Sequence, residues 1–237
     1  MIVQKYKDML SGKSVIRQLS EFAAKRGAEI GYENVFDYSL GNPSVPVPHE
    51  FTDRMIHMLA TRNPMELHGY SPSLGIPSVR EAIAASLEER FGLPYRAEHI
   101  FMASGAAGAL AHAFRLVAEP GDEIITFAPF FPEYRPYVNL SGAVLKIVPP
   151  QTKDFQINFE AFEEMIGDKT MAVLINTPNN PSGVVYSEDT LKKLAKILRE
   201  KSEELGHDIF LISDEPYREI VFDRMPVPNV SAFYDNT

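Results

Sequence analysis

MAVLINTPNNPSG, residues 171–183, decides the fold. Its first half is a short, β-rich apolar run; its second half is the Asn, Pro, Ser and Gly chemistry of a turn. A strand apolar on both sides belongs inside a sheet covered on both faces. Downstream, Glu188 to Leu205 reads as a long helix and IFLIS (209–213) as another strand. Upstream, EIITFA (123–128) and AVLKIV (143–148) are strands and Phe159 to Ile166 a short helix. Before them IFMA (100–103) reads as a strand, Gly108 to Ala118 as a helix and Glu119-Pro120-Gly121-Asp122 as a turn. Strands alternating with helices predict βαβ units, hence an α/β fold with a mostly parallel sheet and helices on both faces. Ligands of such sheets sit beyond the carboxyl ends of the strands, so chemistry is expected in the residues that follow each strand.

Toward the N-terminus, Val15, Ile16, Leu19, Phe22 and Ala23 fall on one face of a helix over Ser14 to Arg26. Phe36 to Pro48 (FDYSLGNPSVPVP) is too rich in Pro and Gly for a helix and reads as an extended connection. After Pro77, which suits a first helical turn, Val79, Ile83 and Leu87 mark another amphipathic helix. The division expected is an N-terminal segment, 1–47, and a larger domain, 48–237.

The composition narrows the function. With 237 residues, 45% hydrophobic, the chain can bury one sizeable core. A formal net charge of −9 argues against nucleic acid, whose phosphates need clustered Lys and Arg. No apolar run is long enough to cross a bilayer, and MIVQKYKDMLSGK lacks a signal-peptide core, so no membrane partner is expected. The absence of cysteine agrees with a reducing, cytoplasmic setting. Six scattered His residues, none paired at helical spacing, make a metal site an unpromising reading.

Each strand end carries a feature with two readings. Ser104-Gly105-Ala106-Ala107-Gly108 enters a helix, where bare N–H groups can meet an anion, though tiny residues there also serve tight packing. Pro129-Phe130-Phe131-Pro132 offers a ring either to the core or to a flat heteroaromatic ligand. Asn180, held between Asn179 and Pro181, is a turn residue or an aimed amide donor. Asp214, in Asp214-Glu215-Pro216-Tyr217, is a helix cap or a carboxylate in need of a cation, for which a protonated ring nitrogen would serve. Together, in order on four strand ends, these features match the phosphate, ring face, phenolate oxygen and ring nitrogen of one molecule, pyridoxal 5′-phosphate.

The sequence resembles the class I/II aminotransferases, fold type I pyridoxal-phosphate enzymes, over essentially its whole length. NNPSG resembles the family's N-P-[ST]-G and SDEPY its D-x-x-Y. PGDEIITFAPFFPEY, GYSPSLGIPSVREAI and SLGNP are similar too. The resemblance implies that Gly105, Ala106 and Ala107 hold the phosphate and Phe131 stacks on the ring. It implies that Asn180 and Tyr217 bond the ring hydroxyl oxygen and Asp214 the ring nitrogen. Tyr70 would reach the phosphate of a neighbouring subunit's cofactor, which makes a homodimer the expected partner, and Gly41 would lie near the substrate carboxylate. Phe131 departs from the tryptophan or tyrosine common there, losing a polar edge and keeping a stacking face.

In the family the Schiff-base lysine follows D-x-x-Y, whereas the last lysine here is Lys201. No catalytic residue is therefore assigned; the chain is expected to be a truncated large domain, incomplete at its C-terminus, with raw sheet edges and little activity alone. The implied activity of the parent protein is amino transfer between an amino acid and a 2-oxo acid. A β-lyase or decarboxylase of the same fold is the alternative, since folds do not fix reactions. A non-catalytic pyridoxal-phosphate sensor is a further one. It ranks low because such regulators add a basic N-terminal module for which there is no room here. A nicotinamide oxidoreductase is disfavoured because the glycine fingerprint is missing.

Overall fold

The computed structural model describes residues 15–41 and 45–237, together with Val3, Gln4 and Lys7. Backbone contacts divide the chain into two units, Met1–Tyr70 and Ser71–Thr237.

The first unit holds helices α1 (Val15–Ile30), α2 (His49–Thr61) and α3 (Pro64–His68). α1 realises the expected helix and runs past Arg26 until Gly31, whose φ of 91° lets the chain turn off the helix axis. Ser14 lies outside the described residues, as do Asn42 and Pro43 of the SLGNP motif. Between Phe36 and Pro48 the described residues form neither helix nor strand, as a Pro- and Gly-rich connection should. α2 and α3 were not foreseen. α3 is locally well specified: Pro64 occupies the first turn and the Asn63 side chain accepts the Met65 N–H.

The second unit holds α4 (Pro77–Phe91), α5 (Gly105–Val117), β1 (Glu123–Phe127), α6 (Tyr134–Ser141), β2 (Val144–Val148), α7 (Phe159–Met165), β3 (Thr170–Asn176), α8 (Glu188–Leu205) and β4 (Phe210–Asp214). The strands form one sheet in the order β2-β1-β3-β4, every neighbour parallel. Side chains alternate across it and feed two cores. Ile125, Phe127, Val173, Ile175 and Leu211 pack with Phe162 of α7 and with Leu191, Leu194 and Leu198 of α8. Ile124, Ala172 and Leu174 point the other way, onto Leu110 and Phe114 of α5 and Tyr134 and Val138 of α6. The parallel sheet with helices on both faces is therefore as expected, and burying each large apolar side chain contributes about 1.5–3 kcal/mol.

Two details correct the sequence reading. Ile100–Ala103 is not a strand. Its apolar run is present, but none of the four strands offers it a ladder, and Phe101 and Met102 stay exposed. Asp214, expected just after its strand, is the last residue of β4 and stands opposite Asn176, the last of β3. The outer edge of β4 is partly covered, since the Leu211 N–H donates to the Asn236 carbonyl at 2.8 Å.

Candidate cofactor site

The carboxyl ends of β1, β3 and β4 are tied together by side chains. At the end of β3, buried Asn176 uses both faces of its amide. Its Nδ2 donates to the Asp214 carbonyl at 2.8 Å, and its Oδ1 accepts the Asn180 N–H at 2.6 Å. Asn180 is thereby held at the mouth of the sheet, where its Nδ2 donates to the Tyr217 hydroxyl at 3.3 Å. Asn179, also buried, folds the turn back: its Oδ1 accepts from the Ser182 N–H and hydroxyl, and its Nδ2 reaches the Pro129 carbonyl beyond β1.

Asp214 projects from the end of β4, half-buried. Its Oδ2 accepts the Tyr134 hydroxyl at 2.6 Å. Burial pushes the carboxyl above its ordinary range, the Tyr134 hydrogen bond pulls it back, and the neighbouring Glu215 charge adds to the rise. Among the described residues no Lys, Arg or His pairs with it. Tyr134 is wholly buried; burial first, then Asp214, raises its phenol far above the usual tyrosine range. Phe131, half-buried, meets Tyr134 edge-on at 5.7 Å, and Phe130 lies parallel to it at 6.4 Å.

The Ser104–Gly108 loop opens α5. Gly105 has φ 74° with open space where a Cβ would stand, so glycine is required there by backbone conformation rather than by crowding. Gly105, Ala106 and Ala107 are exposed and Ser104 makes no side-chain cap; the Gly105 N–H donates to the Ala103 carbonyl at 3.1 Å, and the next N–H groups of this 13-residue helix have no acceptor within the helix. Gly41 and Tyr70 belong to the first unit: Gly41 is exposed, with no described residue near its missing Cβ, and Tyr70 is fully exposed. Lys201 lies within α8, paired with Glu204 at 2.7 Å.

The structure thus joins Asp214, Asn180 and Tyr217 at adjacent strand ends. It also adds two residues given no role in the sequence reading. Asn176 carried a signal, a polar residue closing an otherwise apolar buried strand. Tyr134 carried none, because its partner stands 80 positions away.

An aminotransferase class I and II model matches residues 33–236. The chain belongs to that family. It is 32% identical over 191 residues to the aspartate aminotransferase of Thermotoga maritima, a match covering 80% of this chain and 48% of that protein. It is 30% identical over 222 residues to the methionine aminotransferase of Escherichia coli, covering 93% and 53%. Among solved structures, an amino transferase from Eubacterium rectale superimposes with a TM-score of 0.95 at 46% identity, over 100% of this chain and 60% of that one. The chain spans about half the length of the curated relatives it matches.

Aminotransferases of this family normally use pyridoxal 5′-phosphate. The donor set here fits that group. A half-buried carboxyl with no cationic partner among the described residues suits a protonated ring nitrogen, the Asn180–Tyr217 pair suits a phenolate oxygen, and the uncapped start of α5 at Ala106 and Ala107 suits a phosphate. Among the described residues no helix is long and apolar enough to cross a membrane, and no cluster of acidic or His side chains could hold a metal ion.

Proposed function

We propose that this chain forms the cofactor cradle of an aminotransferase that moves an amino group between an amino acid and a 2-oxo acid. The observation that carries the reading is the convergence of Asp214, Asn180 and Tyr217 at the ends of β3 and β4 in a chain of this family. Bound pyridoxal phosphate supplies an electron sink for the α-carbon of the amino acid. The protein's part is to hold and orient. Asp214 keeps a positive charge on the ring nitrogen, Asn180 and Tyr217 fix the ring hydroxyl oxygen, and Phe131 supports the ring face. The phosphate sits at the start of α5, where Gly105 sets the turn and Ala106 and Ala107 offer N–H groups without blocking side chains.

Gly41, near the substrate carboxylate, and Tyr70, reaching a neighbour's phosphate, complete the assignment and imply a homodimer with shared sites. The division into an N-terminal segment, 1–47, and a cofactor domain, 48–237, belongs to the same proposal. So does a cytoplasmic setting, which rests on the cysteine-free composition. Relatives named for aspartate and for methionine support the amino-acid class without choosing a member of it. Assaying alanine or aspartate with 2-oxoglutarate beside pyruvate release from cystathionine tests the reaction. Amino transfer supports the proposal; pyruvate release alone would replace it with a lyase.

A further inference from the structure

We infer that Tyr134 is a positioning residue that holds the Asp214 carboxylate in one orientation, with Oδ1 left to the ligand. The inference rests on the reading of Asp214 as the partner of a ring nitrogen. The phenol is placed with little freedom. Tyr134 opens α6, its N–H donates to the Phe131 carbonyl at 3.1 Å, and its ring is buried beside Val138, Ala172 and Leu174. Phe131 stands against one edge and Phe130 runs parallel, so the hydroxyl cannot swing away from Asp214 without disturbing the core.

The bond is directional. A phenol held far above its usual titration range stays protonated, so it always donates and Asp214 Oδ2 always accepts. That occupies one carboxylate oxygen and fixes the plane of the group. A hydrogen bond to the charged form also favours the carboxylate against the burial that would neutralise it. The remaining oxygen then meets an N–H⁺ donor already charged and aligned, which reduces the ordering required at binding. Tyr134 itself need not touch the ligand.

The test compares two ligands in the whole protein: pyridoxamine 5′-phosphate, which cannot bond covalently to a lysine, and its analogue with C–H in place of the ring nitrogen. The parent protein should prefer the nitrogen ligand. Tyr134→Phe, nearly isosteric, should reduce that preference about tenfold, the loss of one hydrogen bond to a charged group. Tyr137→Phe serves as the control, removing a hydroxyl of the same helix that makes no hydrogen bond to Asp214. It should leave the preference unchanged. Equal weakening of both ligands by Tyr134→Phe would reduce Tyr134 to a packing role and overturn the inference, as would an unchanged preference. A parent protein that binds both ligands equally would instead remove the underlying reading of Asp214. If Tyr134→Phe does not fold, site-specific incorporation of a fluorinated tyrosine at position 134 alone keeps the ring and makes that hydroxyl more acidic. The ligand preference must then shift with it, and an unchanged preference overturns the inference.

Discussion

The Tyr134 hydroxyl and the Asp214 carboxylate, 80 positions apart in sequence, meet at 2.6 Å, joining the first residue of α6 to the last residue of β4. Tyr134 is drawn there by its ring, which packs with residues of α5, α6 and the sheet; its hydroxyl then donates to Asp214. Asp214 is placed by the ladder, opposite Asn176, whose amide holds its carbonyl. Packing and backbone pairing thus bring together two groups that local sequence cannot relate. The same placement leaves a carboxyl in a setting that opposes its charge, a cost the fold carries for the sake of the site.

That cost has a pH signature. Burial holds the Asp214 carboxyl above its ordinary value of 3.8, so the folded protein binds this proton more tightly than the unfolded chain does. Its contribution to stability is full below the ordinary value and is lost as pH rises through the folded pKa. Asp214→Asn should therefore raise the melting temperature of the cofactor-free protein at pH 7, with the difference shrinking toward about pH 4. Melting curves across that range check it. A variant less stable at pH 7, or a difference that ignores pH, would contradict the assignment of strain to this carboxyl.

The core under α7 and α8 should behave conventionally. Phe162 is fully buried and packs edge-on against Phe127 at 5.2 Å. Phe162→Ala should cost about 3–5 kcal/mol in denaturant unfolding. Leu116, 84% exposed, should tolerate alanine within about 0.5 kcal/mol. Similar losses at both positions would show that Leu116 is covered in the working assembly.

Assembly is the object of a third expectation. Tyr70 is fully exposed in this chain, which suits a residue reserved for a neighbour's site. Tyr70→Phe should weaken cofactor retention without changing the melting temperature of the cofactor-free protein, and sedimentation should find a dimer. An active monomer retaining its cofactor would remove the shared-site proposal.

Much of this architecture is legible because each strand of the sheet is an apolar run closed by turn residues, and each long helix starts or stops on a recognisable signal. Pro77 opens α4, and Gly206, with φ 73°, ends α8. What escapes is what depends on partners. Ile100–Ala103 has the composition of a strand but no ladder beside it. α6 is hidden by Pro136, which a helix accepts in its first turn because that N–H has no acceptor there. α2 carries a readable signal, since Phe51, Met55, Ile56 and Leu59 recur at helical spacing, although that face stays exposed in this chain. At the site, the motif residues Asn180, Asp214 and Tyr217 are legible; Asn176 shows only as a polar end to an apolar strand, its role coming from the register of β3 with β4, and the role of Tyr134 emerges only from the packing of α6.

As proposed, Asp214 would face the cofactor's ring nitrogen and keep it charged. The most direct test is the nitrogen-15 resonance of ring-labelled pyridoxamine 5′-phosphate bound to the parent protein and to Asp214→Ala at pH 8. A protonated nitrogen in the parent and an unprotonated one in the variant is the predicted result. An unprotonated nitrogen in the parent, or one equally protonated in both, would remove Asp214 as the partner of the ring nitrogen.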